Sequence, residues 1–199
     1  MGQISVVAER IIGAPPDRVY GVLRDYREHH PQILPPAFSD FRVEEGGAGA
    51  GTLVSFTMNA GGRRRRFRAR IEEPEPGRVL RETDLDSGAM TAFTVTPEGS
   101  GSRVRIETSW QGAGGFGGLM ERLFAPRLLR RIYAGELDRL DRYVREGSAT
   151  SAICVMDALT CWWRGSSFPE RTEECLASKA VARANDLMYG ARAEVPPAS

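Results

Sequence analysis

Residues 61–70, GGRRRRFRAR, place six arginines in ten positions. Arginine is the side chain of phosphate and carboxylate recognition, because its planar fork presents several N–H donors at once. A run this dense is either a grip on a polyanion or a strand whose arginines share a face. Side chains alternate across a strand. Phe67, Ala69 and Ile71 then fall on one face, and Arg64, Arg66, Arg68 and Arg70 on the other. The apolar face must look inward, so the pattern reads as a solvated strand face whose charges discourage edge pairing. A phosphate-contacting ladder is the alternative, but no aromatic platform interleaves with it. Arg63 and Arg65 are in phase with the inner face. An inward Arg65 beside Phe67 needs a partner, either an internal carboxylate or the polar end of a ligand.

A second chemical motif is GAGGFG, residues 112–117, a literal G-x-G-x-x-G. A dinucleotide site needs that loop before a helix that leads back to a second, parallel strand with an acidic residue. Here the following helical pattern closes the domain, so the loop reads as a hinge between sheet and helix. No G-K-[ST] follows it, which removes the P-loop reading. Cys154, Cys161 and Cys175 match neither C-x-x-C nor a zinc spacing, and the two histidines, His29 and His30, lie far away in sequence. Neither a metal site nor a cofactor is expected.

Composition narrows the class. Across 199 residues the formal net charge is +1, and Glu72, Glu73, Glu75, Glu82, Asp84 and Asp86 follow the arginine run closely. A dedicated nucleic-acid binder would show an unbalanced basic face, so no nucleic-acid partner is expected. The single lysine, Lys179, reads as a genome-composition habit. No run approaches the ~18 apolar residues of a membrane span. The opening MGQISVVAER is too short and polar for a signal peptide, and Val6 breaks the myristoylation pattern. A cytoplasmic protein is the expectation.

The elements that must position these groups follow in a readable order. QISVVAERII is strand-like, and GAPPDRVYGVLRDY opens a helix with prolines and Asp17 in its first turn. Val19, Val22, Leu23 and Tyr26 give that helix an apolar stripe. The Pro-punctuated REHHPQILPPAF leaves room only for a short helix. Strand-like runs follow at 38–45, 52–59, 63–72, 78–84, 89–97 and 102–110, with separators short enough for antiparallel hairpins. Leu119, Leu123, Leu129, Ile132, Tyr133, Leu137, Leu140 and Val144 then recur at helical spacing over 117–146, with Pro126 and Gly135 as weak points. Composition shifts near residue 147, so 1–147 reads as the domain and 148–199 as an extension.

This order, and three stretches in particular, resembles the START-like superfamily, also called SRPBCC or Bet v 1-like. ISVVAERIIGAPPDRVYGVLRDY looks like its opening strand and helix. RFRARIEEPEPGRVLRET looks like its central hairpin. FGGLMERLFAPRLLRRIYAGELDRLDRYVRE looks like its closing helix, as found in polyketide cyclase/dehydrase members. The resemblance covers residues 3–146. It implies an α+β helix-grip fold: a curved seven-stranded antiparallel sheet around a long C-terminal helix, with a cavity between. It also implies binding of lipids, sterols, hormones or polyketide intermediates, some of which members cyclise or dehydrate. The sequence lacks the Cys/His and two-His-one-carboxylate patterns of the metal-dependent members.

Strand phase turns Phe56, Met58, Arg65, Phe67, Phe93, Val95, Val104, Ile106, Thr108 and Trp110 toward the helix. From the helix, Leu119, Met120, Leu123, Phe124 and Tyr133 could face them. If the implied cavity exists, these are its walls. Glu82, Asp84, Thr108 and the His pair join Arg65 and Tyr133 as polar candidates. A cyclase needs a general base or donors that hold an enolate, so Arg65 would supply charge to an enolate oxygen and Tyr133 a proton. His29 and His30 read as exposed side chains near the mouth, with gating or general-base work as the alternative.

In the extension, Ser167 and Glu170 form a capping box for a helix. Trp162 and Trp163 need a cover: the domain, the cavity mouth, or a second copy in a homodimer. A poorly ordered tail is the alternative. Three functions stay open: a binder of a small hydrophobic molecule, a polyketide aromatase/cyclase, and a macromolecular interaction module that uses the arginine face or the Trp-bearing tail.

Overall fold

Strand β1 (Gln3–Ile12) pairs antiparallel with the last strand, β7 (Gly101–Gln111), from Gln3↔Gln111 to Ile12↔Ser102. Between them come α1 (Pro16–Arg24), α2 (His30–Ile33), β2 (Phe38–Glu45), β3 (Leu53–Ala60), β4 (Arg63–Glu75), β5 (Val79–Asp84) and β6 (Met90–Glu98). Helix α3 (Gly115–Arg164) follows β7. The structure is a computed structural model that describes the backbone of residues 2–112 and 115–164 and the side chains of 2–112 and 122–147. The chain divides into two units, Met1–Arg145 and Glu146–Ser199; the site lies in the first. The cysteines, Trp162, Trp163 and the capping box at Ser167 lie outside the described side chains.

The seven strands form one sheet in the order β1-β7-β6-β5-β4-β3-β2, antiparallel at each pairing. Strands β2 to β7 are a meander, and α1 with α2 carries the chain from one sheet edge to the other. Because β7 is antiparallel to both neighbours, GAGGFG does not belong to a Rossmann unit. The predicted strands match to within one residue at each end, except that β4 runs on to Glu75. Its extra residues include Pro74, where the pairing with β5 shifts register between Glu72 and Glu75. A proline cannot donate to the ladder and is tolerated at such an irregularity. A further pair of register shifts lies between β2 and β3, where Asp40 takes φ +55°. Irregularities of this kind bend a sheet. Helix α3 passes the expected stop at 146, because EGSAT carries one glycine and no proline to end it.

Alternation decides what the sheet buries. In β7, Ser102, Val104, Ile106 and Thr108 are buried and the residues between them are not. Val54, Ile71, Leu80, Phe93 and Val95 extend this inner face across the sheet. Against it lie Val19, Leu23 and Tyr26 from the helical segment and Ile132, Leu137, Leu140 and Val144 from α3. Asp141 fastens α3 to the turn after β1, accepting from the Gly13 N–H at 3.0 Å and from Arg145 Nε at 3.0 Å.

A carboxylate also sets the place of α1. Glu73 on β4 accepts from Tyr20 Oη at 2.7 Å, Arg24 Nε at 3.2 Å and the Ala50 N–H at 2.8 Å. Burial pushes this carboxyl up, but the hydrogen bonds from Tyr20, Ala50 and Arg24 outweigh it and hold the group below the usual range. The β2–β3 loop can come this close only because Gly49 stands there with φ +64°: a Cβ would lie 2.2 Å from the Glu73 carboxylate.

Two substitutions on α3 should separate packing from mere hydrophobicity. Leu137 is 1% exposed and Leu123 is 44% exposed. Leu137→Ala should cost about 2–5 kcal/mol, read as a lower urea midpoint at unchanged slope. Leu123→Ala should stay within about 0.5 kcal/mol.

Candidate functional site

Between the inner face of the sheet and α3 lies a cavity of about 930 Å³. Its sheet wall is aromatic. Phe67 stacks on Phe56 at 5.4 Å between ring centroids, Phe56 meets Phe38 edge-on at 5.5 Å, and Phe93, Trp110 and Met58 continue the lining. Apart from Phe38, whose strand is bent at Asp40, these residues share a face because each is in phase with its strand's buried positions. Helix α3 contributes Phe124, Ala125, Leu128, Leu129, Tyr133 and Glu136.

Nine of the expected site residues are thus brought together: Phe56, Met58, Arg65, Phe67, Phe93, Thr108, Trp110, Phe124 and Tyr133 all line this space. Leu123 does not. An α-helix turns about 100° per residue, so Leu123 points about 200° away from the lining residue Ala125. It lies instead beside the N-terminal end of β1, next to Arg122 and Arg127. Met120 lies outside the described side chains.

Arg65 has the partner its inward phase demanded. Its Nη2 is 3.8 Å from Oδ2 of Asp84, and its guanidinium carbon sits 4.9 Å from the centre of the Phe67 ring. The Arg65 side chain is 58% exposed, which places this pair at the mouth. Asp84 is itself buried and accepts from the Arg68 and Ser87 N–H groups at 3.1 Å each. Deeper in, Tyr133 Oη lies 2.7 Å from Thr108 Oγ1, which lies 2.9 Å from Thr91 Oγ1. Burial pushes the Tyr133 phenol well above its ordinary range, so it stays protonated.

The innermost polar groups come from β5, α2, α3 and the turn after α1. Glu82 of β5 accepts from Tyr26 Oη at 2.7 Å, and His30 Nε2 lies 3.9 Å from the same carboxylate oxygen. Burial first, and then Glu82, push the Tyr26 phenol far up. His30 is 2% exposed, which corrects the expectation of a solvated side chain. His30 opens the short helix α2, with Pro31 in its first turn, and its ring stacks on Tyr26 at 4.5 Å and meets the edge of Phe93 at 5.9 Å. Its Nδ1 lies 2.7 Å from the Leu23 carbonyl, which can only accept, so Nδ1 carries a proton. His29 stays at the surface, with Nδ1 2.8 Å from Tyr143 Oη. His29, Asp25 and Glu28 bring one ligand atom each to within 4.8 Å of one another. Asp25 Oδ1 accepts from the Arg27 and Glu28 N–H groups, and Oδ2 lies 3.9 Å from His29 Nε2.

Glu136 is the residue that sequence reading missed. It is 3% exposed, and its carboxyl is pushed up to about 8, by burial first and then by the charge of Glu82. The signal was present: Glu136 stands four residues from both Ile132 and Leu140, on the same helical stripe.

Outside the cavity, the arginine ladder faces acids. Arg64 pairs with Asp40 at 3.6 Å, Arg68 with Glu44 at 2.6 Å and Arg70 with Glu45 at 3.8 Å. The face read as a candidate polyanion grip is laced to the acidic edge strand β2.

A family model described as polyketide cyclase / dehydrase and lipid transport matches residues 3–145. The chain belongs to that family. As a member it is also similar to solved structures. It is 37% identical to the KanY protein, whose solution structure aligns with 73% of this chain and 99% of that one at a TM-score of 0.65. TTHA0849 from Thermus thermophilus is 25% identical over 72% of this chain and 99% of that one, at 0.63. The Zhui aromatase/cyclase from Streptomyces sp. R1128 shares the fold at 15% identity, over 72% of this chain and 94% of that one, with a TM-score of 0.60. The fold is thus the helix-grip, Bet v 1-like one. No curated protein matches the chain.

Glu136 makes this family member's stability depend on pH in a defined direction. Its folded carboxyl holds a proton up to about pH 8, whereas an unfolded glutamate releases it near pH 4.3. Between those values the folded state binds more protons, so stability falls as pH rises, with a limiting slope of about 1.4 kcal/mol per pH unit. Denaturation curves from pH 5 to 9 should show that loss. Glu136→Gln should flatten it and be the more stable form at pH 9.

Proposed function

We propose that residues 1–147 form a domain that binds a small hydrophobic molecule, lipid or polyketide-like, between the sheet and α3. One observation carries this reading: a cavity of about 930 Å³ with aromatic walls interrupted by polar side chains. Ligand pockets have this character and occupy roughly 300–1,000 Å³. The family description, which includes lipid transport, supports it. Among the described residues no helix is long and apolar enough to cross a membrane, and the reading is of a carrier or sensor in the cytoplasm.

An aromatase/cyclase is the second reading, favoured by Glu136. A carboxyl with its proton poised near pH 8 can give or take a proton at neutral pH. In that reading Arg65 steadies an enolate oxygen at the mouth. Tyr133 donates a hydrogen bond without losing its proton. Arg65→Ala and Glu136→Gln should each then lower turnover of a poly-β-keto thioester at least tenfold with the fold intact.

Native mass spectrometry of the freshly purified chain tests the binding reading. The expected result is an adduct of small-molecule mass that disappears on denaturation, and the same spectrum reads a homodimer. Ala69, 3% exposed on the cavity wall, gives the control: Ala69→Phe fills the space and should abolish both the adduct and ligand-induced stabilisation. An adduct that survives Ala69→Phe would place the ligand elsewhere.

A further inference from the structure

We infer that the inner end of the cavity takes a protonated amine, so that the ligand class is an apolar molecule carrying one basic nitrogen. This rests on the proposal that the cavity binds a small hydrophobic molecule.

Two carboxyl groups face the inner end of the same apolar space, Glu82 from β5 and Glu136 from α3. They are close enough that Glu82 disfavours the charged form of Glu136. Glu82 has the Tyr26 hydroxyl, and His30 Nε2 stands beyond hydrogen-bond reach. Glu136 is 3% exposed, and no described side chain donates a hydrogen bond to it. The Glu136 oxygens open onto the cavity, where an apolar side chain would suit a stripe that holds Ile132 and Leu140. The arrangement becomes favourable when something in the cavity supplies the donors.

The arginines that line the cavity do not reach that end, and His30 Nε2 stays 3.9 Å from Glu82. Arg63 and Arg65 are exposed at the mouth, and Arg65 is held there by Asp84 and Phe67. A ligand ammonium has three N–H donors and can bridge two carboxylates, turning their repulsion into attraction. Phe41 and Phe93 flank the site, with ring centres 6.5 and 5.9 Å from that of His30. Aromatic faces attract a desolvated cation. A neutral ligand leaves Glu136 without its partner, and an anionic one is repelled.

Binding also displaces a proton in balance: the ammonium stays intact, the Glu136 carboxyl ionises, and one proton leaves to solvent. The titratable groups that face Glu136 are Glu82, Tyr26, Tyr133 and, beyond Glu82, His30.

Calorimetry on the full chain at pH 7 tests this with 2-(1-naphthyl)ethylamine, 2-(1-naphthyl)ethanol and 1-naphthylacetate. The amine should bind about tenfold or more tightly than the alcohol, the worth of one buried charge-assisted hydrogen bond. Comparison of two buffers should show close to one proton released per amine at pH 7 and little at pH 9. Glu136→Gln should remove the amine's advantage over the alcohol and its proton release, and Glu82→Gln should weaken the amine in the same direction. Equal affinity of amine and alcohol, or tightest binding of the acid, overturns the inference. If Ala69→Phe then still abolishes alcohol binding, the cavity reading stands without it. No binding of any of the three overturns both.

Discussion

The arrangement depends on one constraint: α3 must cover the inner face of a bent sheet with a single helical stripe. Its later turns do this by packing, with Leu137, Leu140 and Val144 each 1% exposed. Its earlier turns stand off and face a cavity with Phe124, Ala125, Leu128 and Leu129. Tyr133 and Glu136 sit where one regime gives way to the other. The packed half fixes the helix, and a fixed helix keeps the other half from collapsing onto the aromatic wall. Protein interiors otherwise close such spaces.

Charge is distributed in two separate systems. Outside, the arginines of β4 meet the acids of β2 across the sheet surface. Exposed pairs of this kind contribute little to stability, but they leave the face with less free positive charge to offer a polyanion. Inside, Asp84 is balanced by Arg65 and by backbone and serine donors, whereas Glu82 and Glu136 both line the cavity. The acids outside are thus paired with arginines, and the carboxyls inside open on the cavity.

Most of the sheet was legible in the sequence because the strand period is short and its turns are marked by glycine and proline. The phase of Phe67, Ala69 and Ile71 placed Arg65 inward, and its demand for a carboxylate is met by Asp84. Leu123 misled because an apolar residue near a helical stripe was taken to be on it; an angle counted from Ala125 turns it away. Glu136 was passed over for the opposite reason, since a charged side chain was assumed to be solvated although its spacing from Ile132 and Leu140 put it inside. His30 left no periodic signal. A four-residue helix between prolines is too short to have one, and its inward turn comes from contacts with Tyr26 and Phe93 that only the fold supplies. The cavity itself was carried by family resemblance, since apolar residues in phase describe a packed core equally well.

The inner end of the cavity is in turn held by residues that never touch it. Tyr26 and His30 reach Glu82 only because the end of α1 is fixed in place. Glu73 grips Tyr20 and Arg24 there, and the glycine loop closes on the same point, with the Tyr26 N–H donating to the Gly47 carbonyl and the Gly49 N–H to that of Arg24. Loosening this clamp would free the chain between α1 and α2 and withdraw the Tyr26 hydroxyl from Glu82. Both inner carboxyls would then lack a side-chain donor, a state that favours proton uptake or hydration from the cavity. The clamp at the end of α1 is therefore a condition for the chemistry of the interior.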